Sequence, residues 1–270
     1  MDSLHYFKDR RVLVTGAAHG MGATMATLLA QAGARLSVCD RDADALSEKV
    51  QAWSGLTEVS QKTFDVSDLN LLRDWISRQE PVFCLINNAG IGMAGEFSAM
   101  SWEDWELVRK VNLDSVIAAC MQVLPGMKTR GSGHIVNMAS LYGITPSPLA
   151  SLYGSTKHAI WGLSQAMDLE LRGTGVKVSV AAPGYVQTKI FHHAVNRGTD
   201  EKTQLSVIPW KLYPAEKAAR RILQDVSRGK LEIVFPIHAR LTWWLSRNFP
   251  RLFRMATLKM IYKHRKLARE

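Results

Sequence analysis

Arg11-Val-Leu-Val-Thr15-Gly16-Ala-Ala-His-Gly20-Met-Gly22 reads as a short strand that runs straight into a glycine-rich turn. A basic residue leads into an apolar, β-branched run, the pattern of a strand covered on both faces. Residues 23–32 then show a helical pattern, and Gly33 closes it. Strand, glycine turn and helix together form a site for a nucleotide phosphate. Glycines let the backbone approach a pyrophosphate, and open N–H groups at the helix start attract the anion. The spacing here is G-x-x-x-G-x-G, and glycine turns also serve as plain connections, so the weight comes from the rest of the chain.

Outward from that turn, strand and helix patterns alternate. Residues 34–39 form a second strand ending at Asp40, with Asp42 placed to cap a helix over 42–53. An acid at that place accepts hydrogen bonds from an adenosine ribose and repels a 2′-phosphate, which favours NAD over NADP. Arg41 is adjacent and suits a 2′-phosphate; a plain turn over residues 40–42 is the structural alternative. Residues 62–66 give a third strand, 67–78 a helix, and 82–86 a fourth strand that runs into Asn87-Asn88-Ala89-Gly90. Ser101-Trp-Glu-Asp104 is a capped helix start, predicting one helix over 102–128 with Asn112 inside it. Strands over 134–139, 177–181 and 231–235 complete seven. This alternation predicts a doubly wound parallel sheet of Rossmann type, with ligands beyond the carboxyl ends of its strands. The glycine turn, Asp40 and the Asn87–Gly90 run all fall at such ends.

Composition suits that reading. The 270 residues are 47% hydrophobic and 21% charged, enough for a large core. Cys39, Cys84 and Cys120 each sit in an apolar run and read as small buried hydrophobes, in keeping with a reducing compartment. No secretion signal or membrane-spanning run is evident, so a cytoplasmic location is expected. His192-His193 lacks a spaced third ligand, so no metal site is expected. The net charge is +10, but residues 238–270 hold nine Lys+Arg and one acid, leaving the body at +2. The near-neutral body offers no basic groove, so nucleic acid is not an expected partner.

The stretch Ser140-Leu-Tyr-Gly-Ile-Thr-Pro-Ser-Pro-Leu-Ala-Ser-Leu-Tyr153-Gly-Ser-Thr-Lys157 joins the fifth strand to a helix over 153–171. Tyr153 and Lys157, four apart, share one helix face. A lysine cation beside a phenol favours the phenolate and lowers its pKa from about 10. A Ser140 hydroxyl at the strand end would hold a substrate oxygen beside the phenol, a set able to move a proton to or from an alcohol or carbonyl. Taken alone, two such residues are more often a solvated helix face.

Gly16-x-x-x-Gly20-x-Gly22, Asn87-Asn-Ala-Gly90, Asn112, Ser140, Tyr153-x-x-x-Lys157 and Pro183-Gly184 occur in this order and spacing over about residues 8–237. The pattern closely resembles the short-chain dehydrogenase/reductases. The resemblance implies a seven-stranded Rossmann catalytic domain, residues 1–237, that interconverts alcohols and carbonyl compounds with a nicotinamide cofactor. It implies Tyr153 as acid/base, with Lys157 lowering its pKa and holding the nicotinamide ribose. Ser140 would orient the substrate oxygen, and Asn112 would hold a water that relays protons through Lys157. Gly16, His19, Gly20, Met21 and Gly22 would line the pyrophosphate, and Asp40 and Arg41 the adenosine ribose. Asp65 and Val66 would flank adenine, and Asn87, Asn88, Ala89 and Gly90 the adjoining ribose. Pro183, Gly184, Val186 and Thr188 would meet the nicotinamide. NAD is the expected cofactor from Asp40, with NADP if His19 and Arg41 bind a 2′-phosphate. The family also implies a homodimer or homotetramer paired through the helices of 102–128 and 153–171. A non-catalytic cofactor sensor or scaffold at a membrane is the rival, and the intact proton-relay residues argue against it.

Residues 189–212 are polar and irregular, as in a lid over a substrate. Residues 238–270 extend past the resemblance as a basic amphipathic helical extension that Pro250 would split. On one continuous helix, Leu241, Leu245, Phe249, Leu252, Phe253, Ala256 and Met260 fall within roughly 120°, with Leu258 outside the stripe. Arg240, Arg247, Arg251, Arg254, Arg265 and Arg269 gather opposite them. Two readings stay open: peripheral contact with an anionic membrane, or a helix packed over the pocket or a neighbouring subunit. The apolar tail suggests a lipophilic alcohol or carbonyl substrate.

Overall fold

The glycine turn leaves the sheet where the strand order reverses. The protein is described by a computed structural model covering residues 3–188, 190–206, 208 and 210–267, with Leu267 described in its backbone alone. Lys189 of the expected lid and Arg269 of the basic face lie outside the described residues. Seven parallel strands form the main sheet: β1 (Arg11–Thr15), β2 (Arg35–Asp40), β3 (Val59–Thr63), β4 (Cys84–Asn87), β6 (Gly133–Met138), β7 (Val176–Pro183) and β9 (Glu232–Phe235). Their spatial order is β3-β2-β1-β4-β6-β7-β9. The chain winds outward from β1 through β2 to β3, then returns to place β4 on the other side of β1. Such a switch point leaves a crevice above the carboxyl ends of β1 and β4.

The strands read as they do because both faces are covered. Val12, Leu13 and Val14 on β1, and Cys84, Leu85 and Ile86 on β4, are fully buried. One apolar layer joins α1 (Gly20–Gln31) and α8 (Ala215–Ser227) to one face of the sheet. The other joins α3 (Leu69–Ser77), α5 (Ser115–Arg130) and α6 (Ser151–Glu170) to the opposite face. The three cysteines are buried and unpaired. Asp42 caps α2 (Ala43–Ser54) by accepting from the Ala45 N–H. Ser101 and Asp104 form a capping box on α4 (Trp102–Arg109).

The third strand differs from the sequence expectation. It runs over Val59–Thr63, not 62–66, and lies at the sheet edge with mostly exposed side chains. Phe64 and Val66 supply the apolar signal, but they are buried in the loop beyond the strand, where Phe64 packs on Trp75. The expected helix over 102–128 is also interrupted. A π turn over Lys110–Asp114 separates α4 from α5 and carries Asn112. The described residues between 190 and 212 are more regular in pattern than a plain loop. They hold β8 (Val195–Arg197), paired in parallel with β5 (Met93–Gly95), and α7 (Glu201–Ser206).

Beyond β9 the chain continues as α9 (Ile237–Asn248) and α10 (Pro250–Leu267), with the break at Pro250. Trp243 on α9 meets Trp161 on α6 edge to face, ring centroids 5.8 Å apart. The break resets the helical register, so the single stripe expected from the sequence does not hold across it. On α10 the buried side chains are Phe253 and His264, while Leu252 is exposed. Among the described residues, no helix is long and apolar enough to cross a membrane.

Candidate active site

Two clefts open at the carboxyl end of the sheet. The first lies over the glycine turn and is lined by Gly16, His19, Gly20, Met21, Asp40 and Arg41, then by Asp65, Val66, Asn88, Ala89 and Gly90. The second is mostly apolar, encloses about 1080 Å³ counting space open to solvent, and carries Ser140, Tyr142, Tyr153, Pro183 and Gly184. Met21, Gly92, Thr188 and Ile190 line both, so the two clefts share a wall.

The first cleft is built from backbone that only glycine allows. Gly16 and Gly20 have φ of +68° and +53°, the left-handed region. A Cβ on Gly22 would stand 1.9 Å from the Gly16 carbonyl oxygen, so its absence lets α1 close onto the turn. Among the described residues, no side chain caps the N-terminus of α1. Its open N–H groups favour an anion there. Thr15 and Asn88 tie the turn to the next strand: the Thr15 hydroxyl oxygen accepts from the Asn88 and Ala89 N–H groups, and the Asn88 amide donates to the Thr15 and Gly16 carbonyls. The Asp40 carboxylate accepts from the Ala18 and Asp42 N–H groups at 2.9 and 3.1 Å, so it also fixes the turn. His19 pairs with Asp42 at 2.7 Å, and that hydrogen bond holds the Asp42 carboxyl below its usual range.

Asn87 departs from its expected placement. Its side chain is buried beneath the cleft and donates to Asn137 at 2.8 Å, and Asn137 donates in turn to Ser164 at 2.9 Å. The strand alternation turns Asn87 inward while Asn88 reaches the glycine turn. Asn112 is fully buried in the π turn, where its amide accepts from the Ile91 N–H and donates to the Ile91 carbonyl, at 2.8 and 2.9 Å. The widened turn presents an asparagine that a regular helix would discourage, and π turns often mark such places. A Cβ on Gly90 would stand 3.2 Å from Asn112 Oδ1 and 3.5 Å from Lys157 Nζ, so these two side chains flank one glycine.

Tyr153 and Lys157 share a face of α6 as expected. Lys157 Nζ is buried, donates to the Met138 carbonyl at 2.8 Å and lies 5.8 Å from the Tyr153 ring centre. Burial pulls its pKa down to about 8. The Tyr153 phenol goes the other way from the sequence expectation. Burial pushes its pKa up to about 12, and a hydrogen bond with Ser140 offsets only part of this. Desolvation thus dominates, and the phenol keeps its proton at neutral pH.

Two features of the second cleft lie beyond the sequence expectations. The Tyr142 and Tyr185 hydroxyls meet at 3.2 Å, and the Tyr142 ring packs edge to face on Tyr153. The available signal for Tyr142 is its place two residues beyond Ser140. Leu149 holds φ of +63°, an unusual conformation for a branched residue. Met260 and His264 of α10 also line this cleft, in keeping with the expected alternative of a tail helix packed over the pocket. His192 pairs with Glu201, and no group of three or more potential metal ligands occurs among the described residues.

The family model for short chain dehydrogenases matches residues 10–198. The CLA biosynthesis dehydrogenase/reductase of Lactiplantibacillus plantarum is 33% identical over 194 residues, spanning 69% of this chain and 68% of that protein. A short-chain dehydrogenase from Sphingobium yanoikuyae, solved in complex with NADPH, superposes with a TM-score of 0.78 at 28% identity, covering 92% of this chain and 95% of that one. A short chain dehydrogenase/reductase from Burkholderia phymatum, 24% identical, shares the fold with a TM-score of 0.84 over 92% of this chain and 96% of that one.

Proposed function

This chain belongs to the short chain dehydrogenase family of oxidoreductases, and we propose that it interconverts a lipophilic alcohol and its ketone or aldehyde. One observation carries the reading: the apolar cleft bearing Ser140 and Tyr153 shares a wall with the cleft over the glycine turn. A substrate oxygen at Tyr153 and a nucleotide on the turn would therefore be neighbours.

The residues fit a nicotinamide cofactor. The left-handed glycines and the uncapped start of α1 suit its pyrophosphate, Asp40 its adenosine ribose, and Asp65 and Val66 its adenine. Gly90 and Lys157 suit the second ribose, and Pro183, Gly184, Val186 and Thr188 the nicotinamide end. When bound, the cofactor supplies or accepts the hydride. NAD is the preferred form, because the Asp40 carboxylate faces the site and Asp42 engages His19.

The protein's own part is orientation and the proton. Ser140 holds the substrate oxygen, and the Tyr153 hydroxyl donates a proton to it in carbonyl reduction. Alcohol oxidation runs in reverse and needs the phenolate, so it gains with rising pH. Lys157 and Asn112, on either side of Gly90, carry the proton onward through a water. Homodimer or homotetramer formation belongs to the same reading. Leu107, Met121 and Leu169 are exposed on α4, α5 and α6, the helices expected to pair.

The test is nicotinamide absorbance with purified protein and a panel of lipophilic alcohols and ketones, each with NAD(H) and NADP(H). Turnover with a clear preference for NAD(H) is expected. Tight cofactor binding with no turnover across the panel would favour a sensor, and a preference for NADP(H) would overturn the role given to Asp40.

A further inference from the structure

The last two helices have two working faces. The inner face of α10 buries Phe253 and His264 against the body. His264 Nε2 meets the Thr199 hydroxyl at 2.9 Å, Lys263 Nζ donates to the Ser206 carbonyl, and Arg265 pairs with Glu96 at 2.7 Å. Met260 and His264 form part of the wall of the apolar cleft. These contacts hold α10 against the pocket from its inner side.

The outer face is apolar where a surface helix is ordinarily polar. Ile237, Leu241 and Trp244 fall within roughly 60° on α9, and Met255, Leu258 and Tyr262 within roughly 60° on α10. Each is between 48% and 70% exposed. The Trp244 and Phe249 rings lie 5.3 Å apart, so the stripe runs on across the bend at Pro250. Cations border it: Arg240 and Arg247 beside the α9 stripe, Arg254 on one side of the α10 stripe and Lys259 and Lys266 on the other, while Arg251 stands within the stripe on the first turn of α10. Residues 237–267 contain eight Lys+Arg and no acidic residue.

From this we infer that the outer face of α9 and α10 docks on an anionic phospholipid surface, and that the same helix admits substrate from the bilayer to the cleft. An apolar stripe bordered by long cationic side chains is what an interfacial helix needs: the stripe enters the acyl boundary and the cations meet the headgroups. Charge argues against a second copy as occupant. A two-fold contact would set this acid-free surface against itself, cation facing cation. Neither helix is able to span a bilayer, so the segment lies on it. The supply of substrate rests on the lipophilic-alcohol function proposed above, whereas the docking does not.

The experiment is flotation of the full-length protein with phosphatidylcholine vesicles, with and without about a third phosphatidylserine, at low and high salt. The wild type is expected to float with the anionic vesicles, to lose this at high salt, and to stay behind with phosphatidylcholine alone. The exposed-face variant Met255→Ser/Leu258→Ser/Tyr262→Ser should partition at least about tenfold less while keeping its Tm. Wild type that fails to float, or a variant that floats equally well, overturns docking. A variant that floats equally well but turns an oligomer into a monomer assigns the face to a second copy instead. For the supply step, anionic vesicles should speed turnover of a long-chain alcohol dissolved in them and leave a short water-soluble alcohol unchanged. Equal rates with and without vesicles overturn that step. Flotation without turnover of any alcohol leaves docking standing and removes the enzyme reading alone.

Discussion

Beneath the carboxyl end of the sheet, polar side chains are buried. On α9 and α10, apolar side chains stand in solvent. Both regions break the ordinary inside–outside rule, in opposite senses and for different physical reasons. Asn87, Asn137, Ser164 and Asn112 are buried because each is hydrogen bonded, which offsets the cost of leaving water. They hold the floor of the two clefts in one arrangement. Met255, Leu258 and Tyr262 leave about half or more of their surface in solvent, and the contacts of their neighbours hold α10 in place. Stability should therefore reside in the first set, and contact with something outside the chain in the second.

At neutral pH the largest expected effect on stability is at Asn137. Its replacement by alanine leaves the Asn87 amide with the weak Cys120 sulfur as acceptor and Ser164 without its donor, in a site closed to water. A loss of about 3 kcal/mol is expected, read from urea unfolding at constant m-value. A loss under about 1 kcal/mol would break the comparison from the body's side.

Next comes a pH effect at His134. Tyr6 and Ser179 bond its two ring nitrogens, at 3.1 and 2.9 Å, and burial pulls its pKa down from 6.5 to about 3. The unfolded chain takes up a proton near 6.5, while the folded protein resists until about 3. This contribution is complete above the unfolded value and falls by about 1.4 kcal/mol per pH unit as the pH drops through that window. Urea midpoints measured across the acid range should show that slope, and His134→Gln should flatten it. An unchanged slope in the variant would assign acid sensitivity to other groups.

The smallest effect is expected on the tail. Met255→Ser, Leu258→Ser and Tyr262→Ser should each shift stability by no more than about 0.5 kcal/mol, since exposed side chains lose little. Losses above about 2 kcal/mol, seen by the same unfolding measurement, would mean that the outer face packs in a way the comparison denies.

The central sheet is legible in the sequence because its signals are local. A β-branched run entering Gly16, an acid ending β2, and Asn88 after β4 each announce a strand end within a few residues. Helix periodicity puts Tyr153 and Lys157 on one face, and the motifs in order around them single the pair out. The illegible features depend on distant partners. β8 is defined by pairing with β5, some 100 residues away, so its polar sequence reads as a loop. The π turn arises from what Asn112 does for Ile91, and no periodicity encodes it. The third strand reads out of place because Phe64 and Val66 are buried by tertiary contact beyond the strand's end. The raised Tyr153 pKa comes from burial, a quantity the spacing of two side chains does not carry. On the tail, amphipathicity is visible, but which face packs depends on the register after Pro250.

The most direct test of the functional account is Tyr153→Phe, with turnover and cofactor binding measured on the same preparation. The ring stays and only the hydroxyl is lost, so the clefts should keep their shape. Reduced-cofactor binding should match that of the wild type, and turnover should fall by about a thousandfold. Turnover close to the wild type would contradict it, because the proton would then come from somewhere other than Tyr153.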